Sequence, residues 1–251
     1  MILKYVLIVF IFAASSSAFA LKKELKAIVY NFPPHIYAEN ADGSSAVPTG
    51  ASVDFFNQYL NSKKKFEVKW VAAPFARVIA DLEHNKADIA FVIVKDAERE
   101  KIMRFSSVGL AKSHPAVVVM KNSPLKEIKS MSDLKGWTLG YTALVHVPSV
   151  FKEMGVKFDA LTGTDSRERN LERLRLKKID GVYVPTSYGA EELLRSLDPK
   201  DEFRVVPVAR EVELYVAFSK TLDEETYQHL NKLIEQHHDD YQALLRKYST
   251  P

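Results

Sequence analysis

Cysteine is absent from all 251 residues. Disulfides are therefore excluded, as is a lipid-acylated N-terminal cysteine, and the fold must hold by core packing. Charge of one sign is also scarce. Thirty-five Lys and Arg against 32 Asp and Glu leave a net charge of +3, and the two signs are mixed along the chain, so no nucleic-acid footprint is present. Lys63-Lys64-Lys65 reads as the solvated end of a helix. There is no Gly-rich phosphate loop and no Gly-x-Ser-x-Gly. After the first twenty residues no segment reaches the roughly 18 apolar residues of a membrane-spanning helix. His237-His238-Asp239-Asp240 consists of neighbours spread about 100° apart around a helix, and reads as a solvated face. No metal and no cofactor are expected.

What is present begins with a targeting pattern. Met1–Lys4 is a short basic start, Tyr5–Ala14 is almost wholly apolar, and Ser15–Ala20 ends in Ser-Ala-Phe-Ala. This is the layout of a cleavable secretory signal, with cleavage expected after Ala20. The apolar run is too short to span ~30 Å of hydrocarbon comfortably. A soluble protein of the periplasm, not a lipoprotein, is the expectation.

Along the rest of the chain, short apolar runs alternate with helical patterns. Strands are predicted at Ala27–Tyr30, Phe66–Val71, Asp88–Val94, Trp137–Tyr141, Ile179–Val184 and Leu214–Ser219. Asp88–Val94 is a continuous apolar run that suits a buried parallel strand. Helices are predicted at Ser52–Leu60, Ala76–His84, Val147–Met154, from Asp165 or Ser166 to Lys178, and at Glu191–Leu197. Thr221-Leu222-Asp223-Glu224 fits a capping box before one long helix to about Tyr248. Ala41–Gly50, rich in Gly, Ser and Pro, reads as a loop. One segment is echoed: Leu82 to Asp88 and Leu174 to Asp180 each run helix, basic turn, Asp, strand. This suggests an α/β protein of two similar lobes, with strand ends facing a cleft that closes on a ligand.

Several motifs follow one another in a specific order: Phe32-Pro33-Pro34, Gly50 with Asp54, Pro74-Phe75-Ala76-Arg77, Ala87-Asp88, Glu98-Arg99 and Phe105-Ser106, then Leu134-Lys135-Gly136 and Lys178-Ile179-Asp180. In this order, from Ala27 to about Tyr248, the chain resembles the extracellular solute-binding proteins of family 3, the amino-acid-binding branch of the type 2 periplasmic binding proteins. The resemblance implies two α/β lobes, 21–112 with 208–251 and 113–207, with mixed sheets flanked by helices and hinge strands near Ala116–Met120 and Leu214–Ser219. It implies a monomer that binds a small solute and delivers it to an inner-membrane ABC permease, or reports it to a membrane sensor. It makes Arg99 the clamp for a ligand carboxylate, Phe32 and Phe75 the walls, and Arg77 and His146 further contacts. A guanidinium fork matches a carboxylate well. A surface ion pair with Glu98, Glu100 or another acid is the other use open to Arg99. His35, after the double proline, is a further candidate.

The chain also departs from the pattern. Val92 and Val94 stand where the family's amino-acid binders carry Ser or Thr, Leu144-Val145-His146 replaces a Gly-Thr-Thr loop, and Pro185 replaces the acid that pairs with the ligand ammonium. A buried ammonium without a partner costs several kcal/mol, so a solute other than an ordinary amino acid is implied. A dehydratase-like reaction on the same fold would need an acid or base in the cleft. The predicted positions offer arginine, aromatics and histidine but no paired carboxylates, so binding rather than catalysis is expected.

Overall fold

The structure, a computed structural model, describes residues 22–39, 45–148, 151, 153–163 and 165–249. The expected signal peptide lies outside the described residues, as does part of the helix expected over Val147–Met154.

Two mixed sheets carry the fold. The first contains β1 (Lys23–Val29), β4 (Phe66–Ala72), β5 (Ile89–Val94), β6 (Met103–Phe105), β7 (Ala111–Ser113) and β13 (Val212–Ser219), in the order β4-β1-β5-β13-β6, with β7 also on β13. The second contains β8 (Ala116–Met120), β9 (Thr138–Thr142), β10 (Lys157–Leu161), β11 (Gly181–Val184) and β12 (Phe203–Pro207), in the order β10-β9-β11-β8-β12. In each sheet the first three strands of that order run parallel, the fourth (β13 or β8) runs against them, and the strands beyond it (β6 and β7, or β12) pair antiparallel with that fourth strand and so run in the first direction again. A small hairpin, β2 (Tyr37–Glu39) with β3 (Ser45–Thr49), stands apart. The loop expected over Ala41–Gly50 therefore ends in a strand; Pro48 and the small residues hid it, since edge strands tolerate proline.

Helices cover both faces of both sheets. They are α1 (Ala51–Phe55, continued by a π-helical turn Phe56–Leu60), α2 (Phe75–Glu83), α3 (Ala97–Ile102), α4 (Ser166–Arg175), α5 (Ser187–Leu197), α6 (Glu224–His237) and α7 (Asp240–Ser249). One face of the first sheet packs Leu25, Phe91, Val216 and Phe218 against Phe55, Leu230, Ile234 and Tyr241, and its other face packs on Val78, Ile79 and Leu82 of α2. The second sheet is covered by Leu171, Leu174 and Leu193 on one face and by Leu134, Phe151 and Val156 on the other. Burial on both faces is why β5 reads Ile-Ala-Phe-Val-Ile-Val without alternation.

The C-terminal helix is not continuous. It breaks at His238-Asp239, where His237 bonds Asp240 through Nδ1 at 3.0 Å. Asp223, not Thr221, caps α6, accepting from the Thr226 N–H at 3.0 Å. α7 is tied to α1 through Asp54, which accepts from Lys247 Nζ at 2.7 Å and the Tyr248 hydroxyl at 3.0 Å. The Leu134-Lys135-Gly136 motif is local architecture: Asp133 accepts from the N–H groups of Lys129 and Ser130, both at 2.9 Å. Leu134 is fully buried, and Gly136 turns the chain at φ 81°.

The chain passes from the first sheet to the second between Ser113 and Ala116, and returns between Pro207 and Val212. The two passages run side by side, with the Val208 N–H donating to the Pro115 carbonyl at 2.8 Å.

Candidate binding cleft

Strands of both sheets end at one cavity of about 100 Å³. β1 delivers Tyr30 and Phe32, β4 delivers Pro74 and Phe75, and β5 leads to Arg99; β9 leads to Val145 and His146, β10 to Ser166 and Arg167, and β11 to Pro185 and Thr186. Carboxyl ends of parallel strands are where α/β proteins place ligands.

The wall from the first sheet is aromatic. Tyr30 stacks on Phe32 with ring centroids 5.2 Å apart and meets Phe75 edge-on at 4.7 Å. Phe32 reaches across to α5: a methyl added to Gly189 would lie 2.9 Å from its Cε2. Val92 is held at φ 57°, a conformation β-branched residues avoid. The antiparallel register with β13 shifts around this position, between Tyr215 and Ala217. The result aims the Val92 carbonyl at the Tyr30 hydroxyl, which donates to it at 3.0 Å. Burial pushes the Tyr30 phenol well above its ordinary pKa, against the opposing pull of Arg99 and Arg167.

Arg99 is 7% exposed and its guanidinium carbon lies 5.6 Å from the centre of the Phe75 ring. Asp96, the N-cap of α3, accepts from the Arg99 N–H at 2.9 Å and lies 3.7 Å from its Nε. Nη1 donates to the Val94 carbonyl at 2.8 Å, and Nη2 to the Leu144 carbonyl of the opposite wall, also at 2.8 Å. Neither Glu98 nor Glu100 pairs with it; Glu98 holds Lys101 at 2.6 Å. His146, also from the opposite wall, bonds Asp96 Oδ2 through Nδ1 at 2.9 Å, and its carbonyl accepts from the buried Tyr183 hydroxyl at 3.0 Å. Burial works against the charged Asp96, but the bonds from Arg99 and His146 and the charge of Arg99 prevail, so its pKa stays below the ordinary range. Burial lowers the pKa of His146, opposed by its bond to Asp96 and aided by Arg99.

The second sheet adds polar groups that sequence reasoning missed. Arg167 and Asn170 stand on the first turns of α4 and line the cavity with Ser166, whose hydroxyl lies 3.0 Å from that of Thr142. Their signal was present in the expected helix start at Asp165 or Ser166: a helix that follows a parallel strand begins at the strand's carboxyl end, so its first turn faces the cleft.

Residues 26–251 match the family of bacterial extracellular solute-binding proteins, family 3. The chain belongs to that family. Among curated proteins no relative matches it. Among solved structures, the substrate-binding protein of an amino acid ABC transporter superposes with a TM-score of 0.72 at 20% identity, over 90% of this chain and 98% of the other. An ancestral arginine-binding protein bound to arginine gives the same TM-score and coverage at 23% identity. The ancestral amino-acid-binding protein AncCDT-1, a precursor of cyclohexadienyl dehydratase, gives 0.70 at 19% identity over 90% and 96%. These likenesses establish the two-lobe type 2 periplasmic-binding-protein fold.

Within this family-3 protein, Arg99, Phe32, Phe75 and His146 all line the cleft, as do Val92, Val94, Val145 and Pro185 at the positions where the chain departs from the family pattern. Arg77 does not. It sits on the outer face of α2 with its side chain 68% exposed, 3.5 Å from Asp81 one turn on, whereas Phe75 at the helix start lines the cavity and Val78, Ile79 and Leu82 pack on the sheet. His35 does not line it either. It is fully buried behind Phe32, where Nδ1 bonds the Tyr241 hydroxyl at 2.8 Å. Burial lowers its pKa to about 3. His237 packs on Tyr59, with ring centroids 4.8 Å apart, and among the described residues no three potential ligands gather as a metal site.

Proposed function

We propose that this protein captures a small carboxylate-bearing solute in the cleft between its two sheets and delivers it to an ABC permease of the inner membrane. The observation that carries the reading is Arg99. It is a buried arginine beside Phe75, at the mouth of β5, in a cavity whose lining includes no Asp or Glu among the described residues. Asp96 lies at its Nε and two carbonyls each take one guanidinium donor, so the remaining N–H groups of its five are left for a ligand carboxylate, and the rings of Phe32 and Phe75 offer apolar surface to the rest of the solute. The lobes are 21–112 with 208–251 and 113–207, and the paired passages near Pro115 and Val208 are the hinge about which they close. Removal of residues 1–20 on export to the periplasm completes the reading.

The test is a thermal-shift screen against amino acids, small carboxylates, short peptides and sugars. At about 100 times its dissociation constant a ligand adds ~2.7 kcal/mol, or roughly 5–10 °C for a chain of this size. A carboxylate shift that disappears in Arg99→Ala and persists in Arg77→Ala supports the proposal. An undiminished shift in Arg99→Ala removes the anchor.

A further inference from the structure

We propose that the first turn of α4 is a second anion subsite, facing the Arg99 side of the cleft, and that the solute is a short dicarboxylic acid without an amino group. The inference rests on the carboxylate reading above and extends it to the other wall.

The donors and acceptors of the cleft are unequal. Four backbone acceptors around Arg99 are already engaged: the Val92 carbonyl by Tyr30, that of Val94 by Arg99 Nη1, that of Leu144 by Arg99 Nη2, and that of His146 by Tyr183. With no carboxylate in the lining and Pro185 at the end of β11, no acid among the described lining residues pairs with an ammonium group. The donors are in surplus. Asn170, which lines the cavity, is fully buried; its Oδ1 accepts from Arg173 Nη1 at 3.2 Å, and its Nδ2 has no partner. A buried unpartnered donor is costly unless something completes it. Arg167 lines the same space and pairs with no carboxylate among the described residues, whereas Arg173 and Arg175 of the same helix are paired with Asp159 and with Glu172 and Glu202.

The helix itself adds to the donor surplus. α4 has ten residues, and its N-cap Asp165 makes no side-chain capping bond, so no capping side chain competes with an anion for the positive end of its dipole. Gly140 leaves the room: a methyl there would lie 2.5 Å from Asn170 Oδ1. The same lining also carries apolar surface, with Phe32, Phe75, Val145, Val184 and Leu193. Two arginines and apolar surface lining one cavity match a short hydrocarbon chain that carries two acid groups.

Isothermal titration of the purified protein with succinate, glutarate and adipate, against butyrate and hexanoate, and against aspartate and glutamate, tests this. The expected result is a dicarboxylate that binds at least about tenfold more tightly than the monocarboxylates and the amino dicarboxylates. Arg167→Gln should weaken it about 10- to 100-fold while monocarboxylate affinity stays the same. Asn170→Ser gives a second, smaller loss in the same sense. Unchanged dicarboxylate affinity in Arg167→Gln, with loss in Arg99→Gln, would overturn the second subsite and leave the Arg99 reading standing. Aspartate or glutamate binding as tightly as the dicarboxylates would overturn the exclusion of an ammonium group. No response to any carboxylate would overturn both readings together.

Discussion

Asn85 stands at φ 56° and Lys177 at φ 55°, each in the turn between a helix and the middle strand of its sheet. Three residues on, Asp88 accepts from the Lys26 N–H and Asp180 from the Thr138 N–H, both at 2.7 Å. Each Asp also donates its own N–H to the carbonyl of that same partner residue, at 2.9 Å. The two halves of the molecule thus repeat one turn, bond for bond, and repeat the strand order around it. They part beyond the turn. β5 runs six apolar residues to a distorted Val92 and on to Arg99, whereas β11 runs four and stops at Pro185. The frame is held by one backbone bond and one carboxylate bond at each repeated Asp, and the site is written in the strand ends, where the frame places few demands on side chains.

The largest asymmetry is His35, fully buried in the first half. Its folded pKa, about 3, lies below its ordinary 6.5, so the unfolded chain binds the proton more readily. Its contribution is whole above pH 6.5 and is lost as pH falls toward 3, at about 1.4 kcal/mol per pH unit. Urea unfolding from pH 7 to 4 should show this slope, and His35→Phe should flatten it; an identical slope in the variant would place the acid sensitivity elsewhere.

Gly50 comes next. At φ 114°, its missing Cβ would sit 2.6 Å from the His35 carbonyl oxygen, whereas Gly136 of the second half, at φ 81°, faces open space. Gly50→Ala should cost about 3 kcal/mol or more, and Gly136→Ala about 1. Equal costs would show that backbone conformation alone matters. The repeated turns offer a smaller contrast. Asp88 is half-buried and Asp180 exposed, so Asp88→Ala should lose about 2 kcal/mol and Asp180→Ala about 1; the reverse order, read from denaturation midpoints, would break the correspondence. The smallest effect has the opposite sign. Val92→Gly relieves the positive φ and should stabilise by up to about 1 kcal/mol, while Val184→Gly in β11 only loses packing. A destabilised Val92→Gly would mean that its methyl contacts outweigh the strain.

Much of this was legible before the structure. The apolar run of β5 and the Leu82 and Leu174 echoes marked buried strands and a repeated unit, because hydrophobic period and turn residues are local properties. The resemblance placed Arg99, Phe32, Phe75 and His146, and all four line the cleft. Arg77 looked equivalent on paper, but a helix turns by about 100° per residue, and two positions past Phe75 the side chain faces solvent. β3 was hidden by its small residues, since its pairing with β2 comes from a partner the local pattern does not show. Arg167 and Asn170 read as ordinary polar helix positions; only the place of α4 at the end of β10 makes them part of the cleft.

The strand orders carry a consequence for how the protein is made. Every strand of the second sheet lies between residues 116 and 207, whereas β13, which pairs with β5, β6 and β7, is residues 212–219. The second sheet can therefore close over sequence-local contacts, while the first waits for the end of the chain to arrive. In refolding followed by pulsed hydrogen exchange, amides of β8, β9 and β11 should gain protection before those of β5 and β13; simultaneous protection would show that the two sheets fold as one unit.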